Sequence, residues 1–150
     1  MSVQKLYKGS KLTTGNNANS LLPRLVMAIN NATEIEITVS FIQVSGLNLL
    51  FDSLLDALNN KTNIKILTSD YLSITNPDAL RQLLLLQERG AKIKIFECTN
   101  SISFHMKSYI FVKTKEQNIV EGCAYIGSNN ISRMALLNGH EWCLRHDYEK

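Results

Sequence analysis

A chain of 150 residues, 45% of them hydrophobic and 19% charged, has the length of one domain and enough apolar material to bury a core. Its longest apolar runs, such as Leu83 to Leu86, fall far short of the ~20 residues a bilayer span needs, and the first five residues lack the apolar centre of a secretion signal. Membrane partners are therefore not expected, the expected location is the cytoplasm, and a net charge of +3 permits contact with a polyanion without relying on bulk attraction.

Residues 1–18 read as a polar, extended lead-in. From Ser20 to Asn30, Leu21, Leu22, Leu25, Val26 and Ile29 recur at helical spacing, with Asn19 or Ser20 as N-cap and Pro23 in the first turn. Ile35 to Ile42 reads as a buried strand. Gly46 opens a second helix through Leu58, and Asn63 to Thr68 is a β-branched strand. Thr75 to Asp78 has the form of a helix start with Pro77 near N1, and Gly90 closes that helix as a C′ residue before a strand from Lys92 to Phe96. This alternation predicts right-handed crossovers within an α/β domain whose mixed, largely parallel sheet is flanked by helices.

The rhythm then changes. Phe104 to Lys113 and Ile119 to Ile126 form a predicted hairpin joined by the polar Thr114 to Asn118, followed by a short helix around Ile131 to Leu137 and a last strand from Glu141 to Arg145. No internal repeat or low-complexity linker divides the chain. The three cysteines, Cys98, Cys123 and Cys143, form no C-x-x-C pair and read as buried reduced thiols.

The candidate chemistry sits in the last third. Along the strand from Phe104, alternation turns Phe104, Met106, Ile110 and Val112 to the core and places His105, Lys107 and Tyr109 on the other face. An imidazole and an ammonium then stand side by side. At Gly127-Ser128-Asn129-Asn130 a chain leaving a strand offers backbone N–H groups, a hydroxyl and an amide to an anion, and the same residues can cap the next helix. Asp70 and Tyr71 read as a turn with a half-buried aromatic in preference to residues that reach the cleft at the carboxyl edge of the sheet, and Trp142 as a core anchor beside Glu141 in preference to a base-stacking ring. His140 and His146 fit no metal-ligand spacing, so neither metal nor cofactor is expected.

Together these runs resemble the H-x-K … G-S-x-N signature of the phospholipase D superfamily. The likeness extends from about Val39 to Trp142, through Ile66 to Leu80 and Gly139 to Trp142, and is nearest in kind to the phospholipase D-like domain at the N-terminus of bacterial DEAD/DEAH and type III restriction-like superfamily II helicases. The resemblance implies metal-independent cleavage of DNA phosphodiesters through a phosphohistidine. It assigns His105 as nucleophile or acid, Lys107 and Asn130 as phosphate clamps, Ser128 as an auxiliary donor, and Glu141 as the carboxylate that holds the histidine ring.

With one H-x-K per chain, the resemblance further implies a homodimer sharing one cleft, and a helicase or restriction domain in cis from which residues 1–150 are a fragment. Two departures stand out. The family pattern continues H-x-K-x4-D, and Val112 occupies the Asp position, on the opposite face from His105 by parity; the span from Lys107 to Gly127 is also longer than usual. The rival expectation is a catalytically impaired nucleic-acid-binding or dimerisation module. Lipid head-group hydrolysis is disfavoured because no basic amphipathic helix is present.

Overall fold

The computed structural model describes residues 12–16 and 18–149, so most of the expected lead-in lies outside the described residues. Its elements are β1 (Leu12–Thr13), α1 (Leu22–Asn31), β2 (Glu34–Thr38), α2 (Val44–Asn59), β3 (Asn63–Ser69), α3 (Pro77–Glu88), β4 (Lys92–Phe96), β5 (Ser108–Lys115), β6 (Asn118–Gly127) and β7 (Cys143–Asp147). A 3₁₀ turn spans Tyr71–Ser73 and a π-helical turn Met134–Asn138.

Local chemistry accounts for the helix ends. Asn76 caps α3 by accepting from the backbone N–H groups of Asp78 and Ala79, Pro77 follows in the first turn, and Gly90 takes a φ of +111° after the last turn. The cap expected for α1 is absent. Leu21 stands at the N-cap with no side-chain hydrogen bond, while Asn19 is drawn away to donate to the Leu12 carbonyl at 3.1 Å and accept from Arg24 at 2.9 Å. Helix α2 begins two residues ahead of Gly46. That glycine lies inside the first turn, where a Cβ would stand 2.5 Å from Ser132 Cα, so its bareness lets the Ile131–Ser132 backbone lie on the helix.

The seven strands form one sheet in the order β1-β7-β6-β5-β2-β3-β4. The expectation of a mixed α/β sheet with flanking helices holds, but not its balance. Only β2 with β3 and β3 with β4 pair parallel; the other four pairings are antiparallel, because the β5–β6 hairpin and the returns of β7 and β1 outnumber the two crossovers. The hairpin turn is tighter than expected, needing only Glu116 and Gln117, both at positive φ as in a type I′ turn.

Helices α1, α2 and α3 pack side by side over one face. Four leucines of α2, Leu47, Leu50, Leu54 and Leu58, are buried there against Ile35, Ile37, Ile64 and Ile66, each contributing roughly 1.5–3 kcal/mol by its removal from water. The register Ile35↔Phe111 and Ile37↔Tyr109 brings the β5 aromatics onto this face. That reverses the predicted alternation: Tyr109 and Phe111 are buried, whereas Ile110 and Met106 are exposed. The opposite face carries no helix among the described residues. Glu36, Lys65 and Lys92 line one half of it, and Ile110, Ile126 and Leu144 the other.

Candidate phosphate-binding site

The carboxyl ends of β2 and β3 meet the start of β5 and the end of β6 at one edge of the sheet, where open α/β sheets bind their ligands. The His105–Lys107 run lies just before β5, in an extended segment without strand pairing, rather than inside a strand. Phe104 anchors it by packing on Phe96, ring centroids 5.3 Å apart. His105 is exposed, and its ring meets that of Tyr71 in a T-shaped pair, centroids 5.7 Å apart with an interplanar angle of 67°. Tyr71 begins the 3₁₀ turn in which Leu72 and Ser73 both have positive φ, a costly backbone that holds the turn against the site.

Lys107 is buried and donates from Nζ to the His105 carbonyl at 2.9 Å. Burial lowers its pKa, and the negative charge of Glu141 pulls it part of the way back. An ammonium in this position is short of counter-charge, which favours an anionic ligand. Only the protonated amine attracts phosphate by charge, so this part of the affinity should be lost as pH rises through the lysine's pKa. It should decline at a lower alkaline pH than an exposed lysine would give. Phosphorus NMR titrations of wild type and Lys107→Arg check this: the guanidinium should keep its affinity to higher pH, and identical alkaline limbs would remove Lys107 from the site.

The second half of the site hangs on β6. Gly127 donates to the Lys107 carbonyl at 3.4 Å, which joins the two motif runs at the top of the β5–β6 ladder. Ser128 and Trp142 are tied reciprocally. Ser128 N–H donates to the Trp142 carbonyl at 3.0 Å, and Trp142 N–H donates to Ser128 Oγ at 3.1 Å. The Ser128 hydroxyl donates to Glu141 Oε2. Glu141 therefore holds Ser128, with no hydrogen bond to the His105 ring.

Asn130 is buried, and its Oδ1 accepts from Phe41 N–H at 3.2 Å, an arrangement that leaves the Nδ2 hydrogens to face a ligand. The capping expected of Ser128 or Asn130 falls to Ser132, whose Oγ accepts from Ala135 N–H at 3.1 Å, while Asn129 Nδ2 donates to the Ala135 carbonyl at 2.6 Å. These side-chain bonds, with Gly139 N–H reaching back five residues to Met134, make the predicted helix a π-helical turn.

Tyr109 couples the two runs. Its buried hydroxyl donates to the Asn129 carbonyl at 3.0 Å, and burial pushes its pKa well above the usual phenol value. Tyr109→Phe should cost about 1–3 kcal/mol, the penalty for stranding a buried carbonyl. Urea denaturation should show a lowered midpoint at unchanged slope; an unchanged midpoint would mean the loop is held by other contacts.

The structure thus gathers Lys107, Ser128, Asn130 and Glu141 at one sheet edge, with His105 exposed beside them under Tyr71. Tyr71 borders the site, one of the two placements its position in the sequence allows, whereas nothing in the sequence signals the role of Tyr109. Asp70 is a turn residue, as expected, accepting from Cys98 N–H at 2.7 Å. Trp142 is not a core anchor: it is 69% exposed, and Cys143 takes the core position beside it. Val112 lies midway along β5, four residues from Ser108 and opposite Glu34. An open groove of about 250 Å³ lined by Arg24, Phe111, Lys113, Tyr125 and Arg145 includes Val112 but none of His105, Lys107, Ser128, Asn130 or Glu141. Among the described residues no three His, Cys, Asp or Glu side chains cluster closely enough to hold a metal ion, and no helix is long and apolar enough to cross a membrane.

A mixed sheet, one layer of helices and a lysine–serine–asparagine cluster at the carboxyl edge define an α/β domain with a candidate anion-binding site. The family described as cardiolipin synthase, PLD-like domain, matches residues 25–150, and the chain belongs to this phospholipase D-like family. Among solved structures, polyphosphate kinase from Porphyromonas gingivalis is similar at a TM-score of 0.56 and 13% identity, over 83% of this chain and 20% of that one. Yeast tyrosyl-DNA phosphodiesterase gives 0.52 and 16%, over 77% and 26%. An archaeal chromatin protein, TrmBL2, described as showing a novel mode of DNA binding, gives 0.54 and 15%, over 89% and 44%. The chain spans less than half the length of each, and these likenesses concern the fold. No curated protein matches the sequence.

Proposed function

We propose that this domain is a metal-independent phosphodiesterase acting on DNA at a site shared by two copies of the chain. The observation that carries the reading is the convergence of Lys107, Ser128 and Asn130 on the sheet edge beside the exposed His105. A nitrogen of His105 attacks phosphorus, the bond to the leaving oxygen breaks, and His105 of the second copy gives that oxygen its proton. Water then attacks the phosphohistidine, yielding its proton to the second imidazole and freeing the first. Lys107 and the Asn130 amide stabilise the charge on the non-bridging oxygens, while Glu141 accepts the Ser128 hydroxyl proton and so fixes the Ser128 turn beside them.

The alternative is a catalytically impaired nucleic-acid-binding or dimerisation module, favoured by Val112 in the family's Asp position. The distance of Val112 from the sheet edge weakens that argument. A helicase or restriction domain in cis, and the fragment nature of residues 1–150, rest on the sequence resemblance alone.

Incubating the chain with plasmid and single-stranded DNA in chelator decides between the two. Cleavage that follows the dimer population supports the enzyme. Binding without cleavage at any protein concentration supports the module, and a metal requirement overturns the mechanism.

A further inference from the structure

Trp142 has an unusual setting for a large apolar residue. It is the single tryptophan of the chain, it is 69% exposed, and its backbone is fastened by reciprocal hydrogen bonds to Ser128 at the rim of the phosphate cluster. Its neighbour Glu141 accepts from the same serine. The indole is thus mobile only about its own side-chain bonds, on a backbone fixed relative to Lys107 and Asn130. Strand parity sends it to the helix-free side of the sheet, next to Leu144 (58% exposed), which pairs with Ile126 (60% exposed). An apolar floor with an exposed aromatic, one residue from the carboxylate that holds Ser128, matches a nucleotide: charge in the cleft, π-face against the ring.

We infer that Trp142 is a nucleobase-stacking platform, holding the base next to the bound phosphate, so that the site takes a single-stranded or unstacked strand in preference to a closed duplex. The inference rests on the phosphate site proposed above and adds the base to it. In a closed duplex each base is already stacked on its neighbours and its face is inaccessible to the indole. In a single strand the face is free and stacking is tolerant of sequence. The platform accordingly predicts strand preference with little base preference.

The lone tryptophan makes the test direct. In the His105→Ala background, so that the strand survives, a short thymidine oligomer should quench the emission of Trp142, and an abasic strand of the same length should bind without quenching. Trp142→Ala should weaken the thymidine oligomer about tenfold, the worth of one aromatic–base stack, and leave the abasic strand unchanged, while Trp142→Phe recovers most of the loss.

Two results separate the possible failures. If Lys107→Ala abolishes binding of both strands but Trp142→Ala changes neither, the phosphate site stands and the platform is wrong. If neither strand binds, both readings fall together. An emission that shifts with protein concentration in the absence of DNA, and ignores the oligomer, assigns the indole to a contact between copies and overturns the platform as well.

Discussion

His105→Ala is expected to lower DNA cleavage at least about a thousandfold without unfolding the protein, because removing a covalent nucleophile leaves only binding and electrostatic stabilisation. Two features make the loss interpretable. His105 is exposed, its one ring contact is with Tyr71, and its carbonyl, which receives Lys107, survives the substitution. The stability change should therefore stay within about 0.5 kcal/mol, as for other surface changes.

A quenched-flow experiment checks the chemistry itself. A 5′- or 3′-labelled strand should remain attached to wild-type protein after alkaline quenching and be released in acid, as a phosphorus–nitrogen bond requires, and no label should remain on His105→Ala. Undiminished cleavage by the variant would sink the proposed mechanism. Phosphate binding by the variant should persist through Lys107 and Asn130, which separates loss of the nucleophile from loss of the pocket.

The largest expected effect on stability comes from Gly127→Ala. A Cβ at this position would lie 2.0 Å from the Trp142 carbonyl oxygen and 2.6 Å from Cys143 Cα, both of them backbone that cannot swing aside like a side-chain tip. Gly127 is paired with Cys143 at the end of the β6–β7 ladder, so relief requires the two strands to part. Parting them stretches the Ser128–Trp142 bonds and withdraws Glu141 from Ser128. A cost of roughly 3 kcal/mol, at the upper end for overpacking, is expected in urea denaturation, with phosphate binding weakened in the molecules that remain folded. A midpoint shift equivalent to less than about 0.5 kcal/mol would show that the strands spread freely there. Gly90→Ala offers the contrast, since nothing lies within 4 Å of its Cβ position and only the positive φ opposes the substitution.

Much of the architecture was legible because chemistry at single positions punctuates it. Asn76, Pro77 and Gly90 bracket α3, Lys92 to Phe96 alternates cleanly between charge and isoleucine, and the two crossovers follow from the order of elements. The misreadings of which side chains face the core share one cause. On β5 and β7 both faces carry apolar side chains, because one lies under helices and the other holds Ile110, Ile126 and Leu144 in the open. Hydrophobic alternation then has two solutions, and Tyr109 beside a histidine and a lysine suggests the wrong one. The same ambiguity lets Trp142 and Cys143 both read as core residues, whereas only the smaller Cys143 is buried. That thiol is buried well enough for its pKa to be raised to about 11, chiefly by desolvation.

At the candidate site, residue types were legible and partners were not. His105, Lys107, Ser128, Asn130 and Glu141 announce anion chemistry by identity and spacing. That Glu141 holds Ser128, and that Phe41 orients Asn130, depends on how the β2–α2 loop and the approach to β7 fold across the sheet edge. Tyr71 reaches His105 from a turn 34 positions earlier (105 − 71), on a backbone with two consecutive left-handed residues that no local propensity favours.

Val112 carries a lesson for anyone tempted to repair this sequence by majority rule. It sits four positions along β5 from Ser108, about 13 Å at the usual rise, and its cross-strand neighbour is Glu34. An aspartate written back into that slot would meet a carboxylate directly across the ladder, where like charges repel, and would gain nothing at the distant cleft. The valine suits its own scaffold: residues 34 and 112 face each other across the ladder, so what stands at one limits what the other can carry.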